Sequence, residues 1–511
     1  MQRHDFNWLA LQNGSDIRGV ALDGLGDETI NLSVPVARAI GVGFAEWLSE
    51  RLHKLPCDLE IALGHDSRLS ARQLSQAFLE GVAAAGADTY FLGLASTPAM
   101  FMSCITSPFE YDGSVMLTAS HLPWNRNGFK FFTAAGGLDK ADITAILERA
   151  ALAYPIESVP EWTMPEQIDF MKVYSAQLVQ KIRQAVNHPT HPETPLQGLH
   201  IIVDAGNGAG GFFVDHILQV LGADTTGSQF LEPDGSFPNH APNPEDPEAI
   251  ASLRAAVLRE KADLGIIFDT DVDRAGAVDR NGYEINRNRL IALMASIILE
   301  EHPGTTIVTD SITSDELGEY ISEKGGRHHR FRRGYRNVIN EAIRLNEAGQ
   351  DTQLAIETSG HGAFKENYFL DDGAYTVTRI LIKLAQLKQQ GKELNDLLEG
   401  FTEPLEAAEF RPRLMTEDFN GLGQEVLARL EEVAAVNEGW SLVQDNFEGV
   451  RVAVAPGYGD GWFLLRLSLH DPVLPLNVEA RETGGVDKIA AQLNSFLGQW
   501  PEIDRSDFIN K

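Results

Sequence analysis

The chain has 511 residues and a formal net charge of −31 at pH 7. This length exceeds what one hydrophobic core supports, and 43% hydrophobic residues are enough for several cores, so we expect several domains. The negative charge argues against nucleic-acid binding, because that binding requires Lys and Arg to replace counterions on the phosphate backbone. A site for an anionic substrate must therefore concentrate its cationic groups against a repulsive background.

Cysteine content and hydropathy bear on the compartment. Cys57 and Cys104 form no CxxC pair, which is typical of a reducing environment. The start of the chain has no sustained apolar region, and no stretch approaches the length needed to cross a bilayer. We therefore expect a cytoplasmic protein with no membrane contact.

Three segments share one order of elements: an apolar strand, an Asp-bearing loop, a helix, a glycine and a second strand. They span residues 59–93, 199–230 and 305–331, and in the second Asp204 begins the loop and Gly222 ends the helix. This order is the βαβ unit, which covers a mainly parallel sheet with helices and places ligands at the carboxyl ends of strands. We therefore expect three related α/β domains with mixed sheets.

The pattern changes after residue 402. An acidic helical stretch at 423–436 is followed by strand-like runs at 440–455 and 461–469. A fourth, C-terminal α+β domain is the economical interpretation. We place the domains at 1–165, 166–284, 285–402 and 403–511.

Residues 114–130, SVMLTASHLPWNRNGFK, form the most informative segment of the chain. An apolar run stops at Ser120 and His121, and the Pro, Asn and Gly that follow disfavour a helix. We expect Ser120, His121 and Lys130 to lie on a shaped loop, where catalytic groups are often held. Two interpretations remain open for this segment alone: a nucleophilic serine, or an ordinary turn with a surface histidine.

A second constellation is ADLGIIFDTDVDR, in which an apolar strand ends in Asp269, Asp271 and Asp273, followed by Arg274. Three carboxylates on one short loop suit a hard cation such as Mg²⁺ or Ca²⁺. An EF-hand is excluded because its sixth position would be Arg274 instead of glycine. Two alternatives remain: an exposed acidic turn, or the first motif of a haloacid-dehalogenase-type phosphatase with Asp269 as nucleophile.

Two weaker patterns concern substrate binding. In LAIETSGHGAF, a carboxylate, a hydroxyl and an imidazole alternate after a strand and suit vicinal sugar hydroxyls; an ordinary turn is the alternative. These residues are Glu357, Ser359 and His361.

In the last domain, the strand-like run GWFLLRLSLH carries Arg466, Ser468 and His470 on one face by period two. This pattern indicates a phosphate clamp, with a half-exposed strand as the alternative. Arg18 and Arg68 lie in glycine- or serine-bearing turns, where either could form a surface ion pair of little energetic value.

Together these segments resemble the α-D-phosphohexomutase superfamily, which includes phosphoglucomutases and phosphomannomutases, over essentially the whole chain. The most specific matches are TASHLPWNRNGFK and FDTDVDR, joined by ETSGH. The resemblance implies three related mixed-sheet α/β domains and a C-terminal α+β domain around a central active-site cleft. In order, these domains would bear the phosphoserine, the metal, the sugar loop and the phosphate clamp.

The resemblance also implies roles for individual residues. Ser120 would be phosphorylated and would hold one Mg²⁺ per chain together with Asp269, Asp271 and Asp273. Lys130 and Arg18 would stabilise or relay protons around the transferring group, while His121 and Arg274 line the site. Residues 357–361 would bind the sugar, and residues 466–470 would bind the phosphate that does not react.

The implied activity is a Mg²⁺-dependent interconversion of hexose 1-phosphate and hexose 6-phosphate, with glucose or mannose as the sugar. It would proceed through phospho-Ser120 and a hexose 1,6-bisphosphate, and a sugar bisphosphate would serve as activator or donor. No nucleic-acid partner is expected, and the chain would be a monomer or a homodimer.

One departure from the family pattern keeps an alternative open. The usual RxSGTEP of the clamp is RLSLHDP here, at residues 466–472. The chain also resembles a branch that includes bacterial glucose 1,6-bisphosphate synthases, and this resemblance implies, as the first alternative, such a synthase with fructose 1,6-bisphosphate as donor. An Asp269-dependent sugar phosphatase and a non-enzymatic sugar-phosphate-binding protein are more distant ones.

Overall fold

The computed structural model describes residues 6–156, 161–468 and 471–508. The chain divides into two compact units. The first unit consists of residues up to 290 together with 359–397, and the second of 291–358 together with 398 onwards. Within the described residues, no helix combines the length and the apolar character needed to cross a membrane.

The first unit begins with a mixed sheet of seven strands in the order β1-β2-β6-β5-β3-β4, with β7 paired to β6. The strands are β1 Gln12–Asn13, β2 Asp16–Val20, β3 Glu60–His65, β4 Asp88–Leu94, β5 Gly113–Leu117, β6 Arg126–Thr133 and β7 Gly136–Gly137. The helices are α1 Val34–Leu52, α2 Ala71–Ala84, α3 Thr97–Ser103 and α4 Lys140–Ala153. Strand β3 is parallel to β4 and β5, and β6 runs antiparallel to β5 and β2.

A second sheet in this unit has four strands in the order β11-β10-β9-β8. The strands are β8 Ile201–Asp204, β9 Leu264–Phe268, β10 Ala275–Asp279 and β11 Glu284–Ile285, and the helices are α5 Phe170–Val186 and α6 Pro247–Glu260. Helix α6 begins where Asp246 accepts hydrogen bonds from the main-chain N–H groups of Glu248 and Ala249, with Pro247 at the first helical position. Strand β9 is buried throughout and ends at the acidic loop.

Helix α7, Arg287–Glu301, leads the chain from the first unit into the second. The second unit then has three parallel strands, β12 Thr306–Thr309, β13 Arg327–Arg330 and β14 Thr352–Ile356, with helices α8 Asp315–Glu323 and α9 Tyr335–Glu347. The first unit resumes with the antiparallel pair β15 Gly362–Phe364 and β16 Leu370–Asp371, followed by α10 Gly373–Gln389.

The C-terminal part of the second unit contains a five-stranded antiparallel sheet in the order β17-β22-β21-β20-β19. Its elements, with the small β18-β23 pair, are β17 Glu406–Phe410, β18 Arg413–Leu414, α11 Phe419–Ala434, β19 Trp440–Leu442, β20 Val450–Val454, β21 Gly461–Leu465, β22 Leu476–Ala480, α12 Gly485–Leu497 and β23 Ile503–Asp504. Both helices contribute to one buried apolar cluster against this sheet. The predicted α/β class with a C-terminal α+β region is confirmed.

The repeated strand-helix-strand order is present as β3-α2-β4 and as β12-α8-β13. In the second repeat the predicted helix is short and irregular: a π-helical turn, Val214–Leu218, is followed by turns that end at Gly222, whose φ is +86°. The glycines before this turn serve close approach of main chains, since a Cβ on Gly208 would lie 2.7 Å from the carbonyl oxygen of Thr270. A glycine-rich segment also disfavours a longer helix.

Candidate active site

Ser120 lies three residues beyond the end of β5 and is 4% exposed. Its φ of +50° is in the left-handed region, which costs a residue with a side chain roughly 1–2 kcal/mol. Its main-chain N–H donates to Thr118 Oγ1 at 2.9 Å, and its hydroxyl donates to Asp269 Oδ2 at 2.9 Å. The backbone conformation thus aims the serine oxygen at the acidic loop.

Asp269, Asp271 and Asp273, which we call the carboxylate triad, occupy the buried loop between β9 and β10. One oxygen from each lies within 4.8 Å of the others. Burial, followed by the charges of the other two carboxylates, raises the pKa of Asp269 well above its ordinary value. Burial also raises the pKa of Asp273, but the charges of Lys130 and His361 outweigh it and hold that pKa below its ordinary value.

Two oxygens of the carboxylate triad have no hydrogen-bond partner in the described part of the chain. Asp271 Oδ1 and Asp273 Oδ1 are buried and accept no hydrogen bond from the described residues. Leaving carboxylate oxygens buried and unsatisfied costs free energy, and a hard divalent ion bound by all three side chains would satisfy both atoms. The donor set is therefore suited to Mg²⁺.

Lys130 is the counter-charge that the structure places on the carboxylate triad. Its Nζ donates to Asp271 Oδ2 at 2.8 Å and also to Asp273 Oδ2. Burial lowers the pKa of Lys130, but these carboxylates outweigh burial and raise it well above its ordinary value. The predicted loop position of Lys130 is wrong, because the residue lies in β6 opposite Met116, where the antiparallel pairing of β5 and β6 aims it.

Arg18 reaches the same region from β2. It is paired with Gly128 of β6, where a Cβ would lie 2.1 Å from the carbonyl oxygen of Ile17, so glycine permits the two strands to approach. Its Nη2 donates to Asp16 Oδ2 at 2.9 Å. Burial lowers the pKa of Arg18, but Asp16 and then Asp271 and Asp273 raise it above its ordinary value.

Arg274 links the serine to the carboxylate triad. Its Nε donates to Asp269 Oδ2 at 3.1 Å, and its Nη2 donates to Ser120 Oγ at 3.3 Å. Its Nη1 donates to Asn243 Oδ1 at 3.2 Å, which fixes the far side of the guanidinium. A planar guanidinium held at three points can neutralise charge that develops on the serine oxygen.

His121 stands beside the serine with its Nδ1 3.4 Å from Ser120 Oγ. His121 is exposed at the surface, but neighbouring atoms still displace part of the water around its ring. This desolvation, followed by the positive charges of Arg274 and Arg18, lowers the pKa of His121. The imidazole is therefore neutral at pH 7.

His361 from the predicted sugar loop lies within the same unit. Its Nδ1 is 2.5 Å from Asp371 Oδ2, and an isolated backbone bridge joins it to Arg274. Burial lowers the pKa of His361, but Asp371 and then Asp273 outweigh it and raise the pKa to about 9. Ser359 Oγ is buried and has no hydrogen-bond partner among residues 6–156, 161–468 and 471–508.

The remaining predicted residues belong to the second unit. Glu357 follows β14, and its Oε1 accepts from the main-chain N–H of Gly334 at 2.6 Å, just before α9. Arg466 Nη1 lies 3.9 Å from Glu448 Oε1. Burial lowers the pKa of Arg466, and the nearby carboxylates partly offset this effect.

The clamp segment differs from the predicted strand. Strand β21 ends at Leu465, so Arg466 and Ser468 follow it instead of lying on it. The main-chain N–H groups of Arg466 and Ser468 still donate to the carbonyl oxygens of Pro475 and Val473, at 3.1 Å each. These bonds extend the antiparallel pairing of β21 and β22 beyond the ends of the two strands. His470 lies outside the described residues.

Sequence patterns missed several residues around the serine. Thr97 donates its hydroxyl to Asp271 Oδ2 and its main-chain N–H to the Asp271 carbonyl at 2.8 Å. Thr270 Oγ1 donates to the Ser120 carbonyl at 2.7 Å. Arg68, interpreted above as a possible surface pair, is buried. Residues distant in the sequence give no local signal for such contacts.

Comparison with known proteins decides the family. The sequence matches phosphoglucomutase/phosphomannomutase alpha/beta/alpha domain I over residues 10–154, domain II over 173–282 and domain III over 286–405. It is 33% identical over 496 residues to a phosphomannomutase/phosphoglucomutase of Pseudomonas aeruginosa, covering 96% of this chain and 95% of that protein. The chain belongs to the phosphoglucomutase/phosphomannomutase family.

Two further relatives agree with this assignment. A phosphoglucomutase of Neisseria meningitidis is 30% identical, covering 96% of both chains. The crystal structure of a phosphoglucomutase/phosphomannomutase family protein from Burkholderia thailandensis superposes with a TM-score of 0.75 at 28% identity, over 96% of this chain and 97% of that one. The resemblance to the α-D-phosphohexomutase superfamily is confirmed, as is the enzyme class expected from it, a phosphohexomutase.

Proposed function

We propose that this phosphohexomutase interconverts hexose 1-phosphate and hexose 6-phosphate through a phosphoserine at Ser120. The observation that carries the proposal is the setting of Ser120 Oγ, which bonds Asp269 at 2.9 Å and lies 3.3 Å from Arg274 Nη2. Phosphoryl transfer depends mainly on alignment and on neutralising charge, and this setting supplies both for one serine oxygen.

The chain supplies a group that can exchange the necessary proton. When the phosphoryl group leaves Ser120 Oγ for a sugar hydroxyl, the serine oxygen must gain a proton and the hydroxyl must lose one. Lys130 is held protonated by its bonds to Asp271 and Asp273, in the loop that also accepts the hydroxyl of Ser120 at Asp269. We assign both proton transfers to the Nζ of Lys130, which gives a proton to Ser120 Oγ and takes up the proton that the sugar hydroxyl loses, so that Lys130 is again protonated when the transfer is complete.

A Mg²⁺ ion would be held by Asp269, Asp271 and Asp273 together with a phosphoserine oxygen, and it would supply neutralisation of charge on the transferring group. Arg274 and His121 line the serine in this proposal. Arg18 adds positive charge beside the carboxylate triad.

The sugar would be glucose, with mannose as a second substrate, because the names of the Pseudomonas and Neisseria relatives include both activities. Glu357, Ser359 and His361 would bind its hydroxyl groups. Arg466 and Ser468 would bind the phosphate that does not react, and His470 is proposed from the sequence alone. The cytoplasmic location and the monomer or homodimer state remain predictions.

The test of the function is Ser120→Ala with Ser33→Ala as a matched control, since Ser33 forms no capping hydrogen bond. We expect Ser120→Ala to lose turnover and phosphoenzyme formation, and Ser33→Ala to keep both. The phosphoenzyme should survive acid. Substantial turnover in Ser120→Ala, or a phosphoenzyme cleaved by hydroxylamine, would contradict the proposal and favour Asp269 as nucleophile.

A specific contact favours a second product. Glu448 places a carboxylate 3.9 Å from Arg466, and a negative charge there weakens the hold on a phosphate. A weakly held hexose 1,6-bisphosphate would leave the enzyme before it turned around. Incubation with fructose 1,6-bisphosphate and glucose 6-phosphate should then accumulate glucose 1,6-bisphosphate. If none accumulates, the second product is rejected and only the mutase activity stays proposed.

A further inference from the structure

Arg68 lies beneath the loop that carries the serine. Its Nη1 donates to the carbonyl oxygens of Pro123 at 2.7 Å and Arg126 at 3.0 Å, and its Nη2 donates to those of Leu122 at 2.7 Å and Ser120. One planar guanidinium thus satisfies four carbonyl oxygens of the loop and the first residue of β6. Because its donors diverge in a fixed fork, the loop has little freedom to take another path.

Asp66 extends this support to the other side of Ser120. Its Oδ2 lies 3.3 Å from Arg68 Nε and accepts from Thr118 Oγ1 at 2.7 Å. Thr118 Oγ1 in turn accepts the main-chain N–H of Ser120 at 2.9 Å. The main-chain donor and the main-chain acceptor of Ser120 are therefore both fixed by contacts that lead back to Asp66 and Arg68.

The left-handed φ of +50° at Ser120 makes this support necessary. Such a conformation persists only where the surrounding structure over-determines it. We propose that Arg68 is a positioning residue, which acts through the Ser120 loop to hold Ser120 Oγ against Asp269 and Arg274 for phosphoryl transfer; this inference rests on the proposed function.

Arg68 is enclosed by the chain. It is 2% exposed, its guanidinium carbon lies 5.3 Å from the centre of the Phe237 ring, and a Cβ on Gly235 would lie 2.6 Å from its Cα. A side chain so enclosed acts through the loop and not on a bound sugar. Its replacement should therefore change the rate of chemistry more than the binding of substrate.

The test compares Arg68→Gln and Arg68→Lys with Arg72→Gln. Arg72 is exposed on the first turn of α2, so the control removes the same charge four residues away. We expect kcat per folded molecule to fall about 10²-fold in Arg68→Gln, as for a small misplacement of a reacting group, with KM changed less than about threefold. Arg68→Lys should recover part of kcat, because Lys keeps the charge but loses the fork.

A second measurement separates positioning from folding. Transfer of a labelled phosphoryl group from the phosphoenzyme to sugar phosphate is timed in a single turnover, on protein whose folded fraction is known. The transfer should be slow in Arg68→Gln and normal in Arg72→Gln. Thr118→Val, which removes the link to the Ser120 N–H, should also slow it and keeps the test open if Arg68→Gln does not fold.

Two results would overturn the inference. Wild-type transfer rates in the folded Arg68 and Thr118 variants, with Ser120→Ala inactive, would leave the proposed function intact and remove the positioning role. Full turnover in Ser120→Ala would instead remove the proposed function, and the inference with it.

Discussion

Charge compensation decides how single residues behave around the serine. Lys130 bonds two carboxylates of the triad, and Arg274 bonds the third. Removing one partner of a buried ion pair leaves an uncompensated charge, and this costs about 3–5 kcal/mol. Each cation here therefore stabilises the fold as well as the proposed chemistry.

Lys130→Met tests this dependence. In EDTA the variant should melt below the wild type, because two buried carboxylates lose their counter-charge. Mg²⁺ should then raise the melting temperature of the variant more than that of the wild type, since the ion meets one positive charge fewer. Turnover should fall by about 10²-fold or more, as proton transfer is lost.

Lys172→Met is the matched control, because Lys172 pairs with Asp169 at the surface. It should melt and turn over like the wild type, since exposed pairs contribute little. Equal Mg²⁺ shifts in Lys130→Met and wild type would contradict the assignment of Lys130 as the counter-charge of the carboxylate triad.

Paired strands set the properties of a buried acid in the second unit. Glu479 of β22 is opposite Trp462 of β21, and its Oε2 accepts from the indole N–H at 2.8 Å. Arg451 of β20 stacks on the same indole, with its guanidinium carbon 3.6 Å from the ring centre. Burial, followed by the charge of Glu316, raises the pKa of Glu479 to about 8.

This shift predicts a pH-dependent stability. Between the ordinary pKa near 4.5 and the folded value near 8, the unfolded chain releases a proton that the folded chain keeps. The free energy of unfolding therefore falls as pH rises through this window. Glu479→Gln keeps an acceptor for Trp462 but does not ionise, so its stability relative to wild type should increase from about pH 5 to about pH 8, by on the order of 1–3 kcal/mol.

Urea denaturation followed by tryptophan fluorescence at both pH values measures the difference. The control is Glu425→Gln, because Glu425 accepts from Trp500 in an exposed pair of the same kind. It should show no such trend. A constant difference between Glu479→Gln and wild type across the window would show that Glu479 is already ionised in the folded protein.

Net charge acts on the whole molecule. At −31 the chain repels itself when compact, and this repulsion destabilises the folded state. The screening length falls from about 30 Å in 0.01 M salt to about 8 Å in 0.15 M salt. Over this range we expect NaCl to raise the melting temperature, and KCl to do so equally if screening is the cause. A fall in melting temperature would mean that favourable ion pairs outweigh the repulsion.

Much of the fold followed from the sequence because its signals are local. The apolar run before Asp269 is the buried strand β9, and the period in 71–84 is helix α2. Where glycines serve close packing, the helix is shorter than the local signal indicates, as in the segment after Asp204. Lys130 was misplaced for a related reason, since its strand exists only through pairing with β5.

The sequence alone places the serine, the carboxylate triad and the imidazole of His361 after the ends of strands. It also sets the net charge of −31, which repels an anionic substrate from the molecule. The contacts that hold these groups come from the packing of the folded chain. Ser120 is 149 residues from Asp269 in the chain, and Lys130 is 141 from Asp271.

Arg68 shows why the contacts that hold the site can be known only from the folded structure. Its residue type and its flanking sequence are those of a surface turn. It becomes a support of the serine loop only because β3 and β5 are neighbours in the sheet, and their ends bring it beneath residues 120–126. Backbone conformation, burial and hydrogen-bond partners are properties of packed elements, and no single segment encodes them.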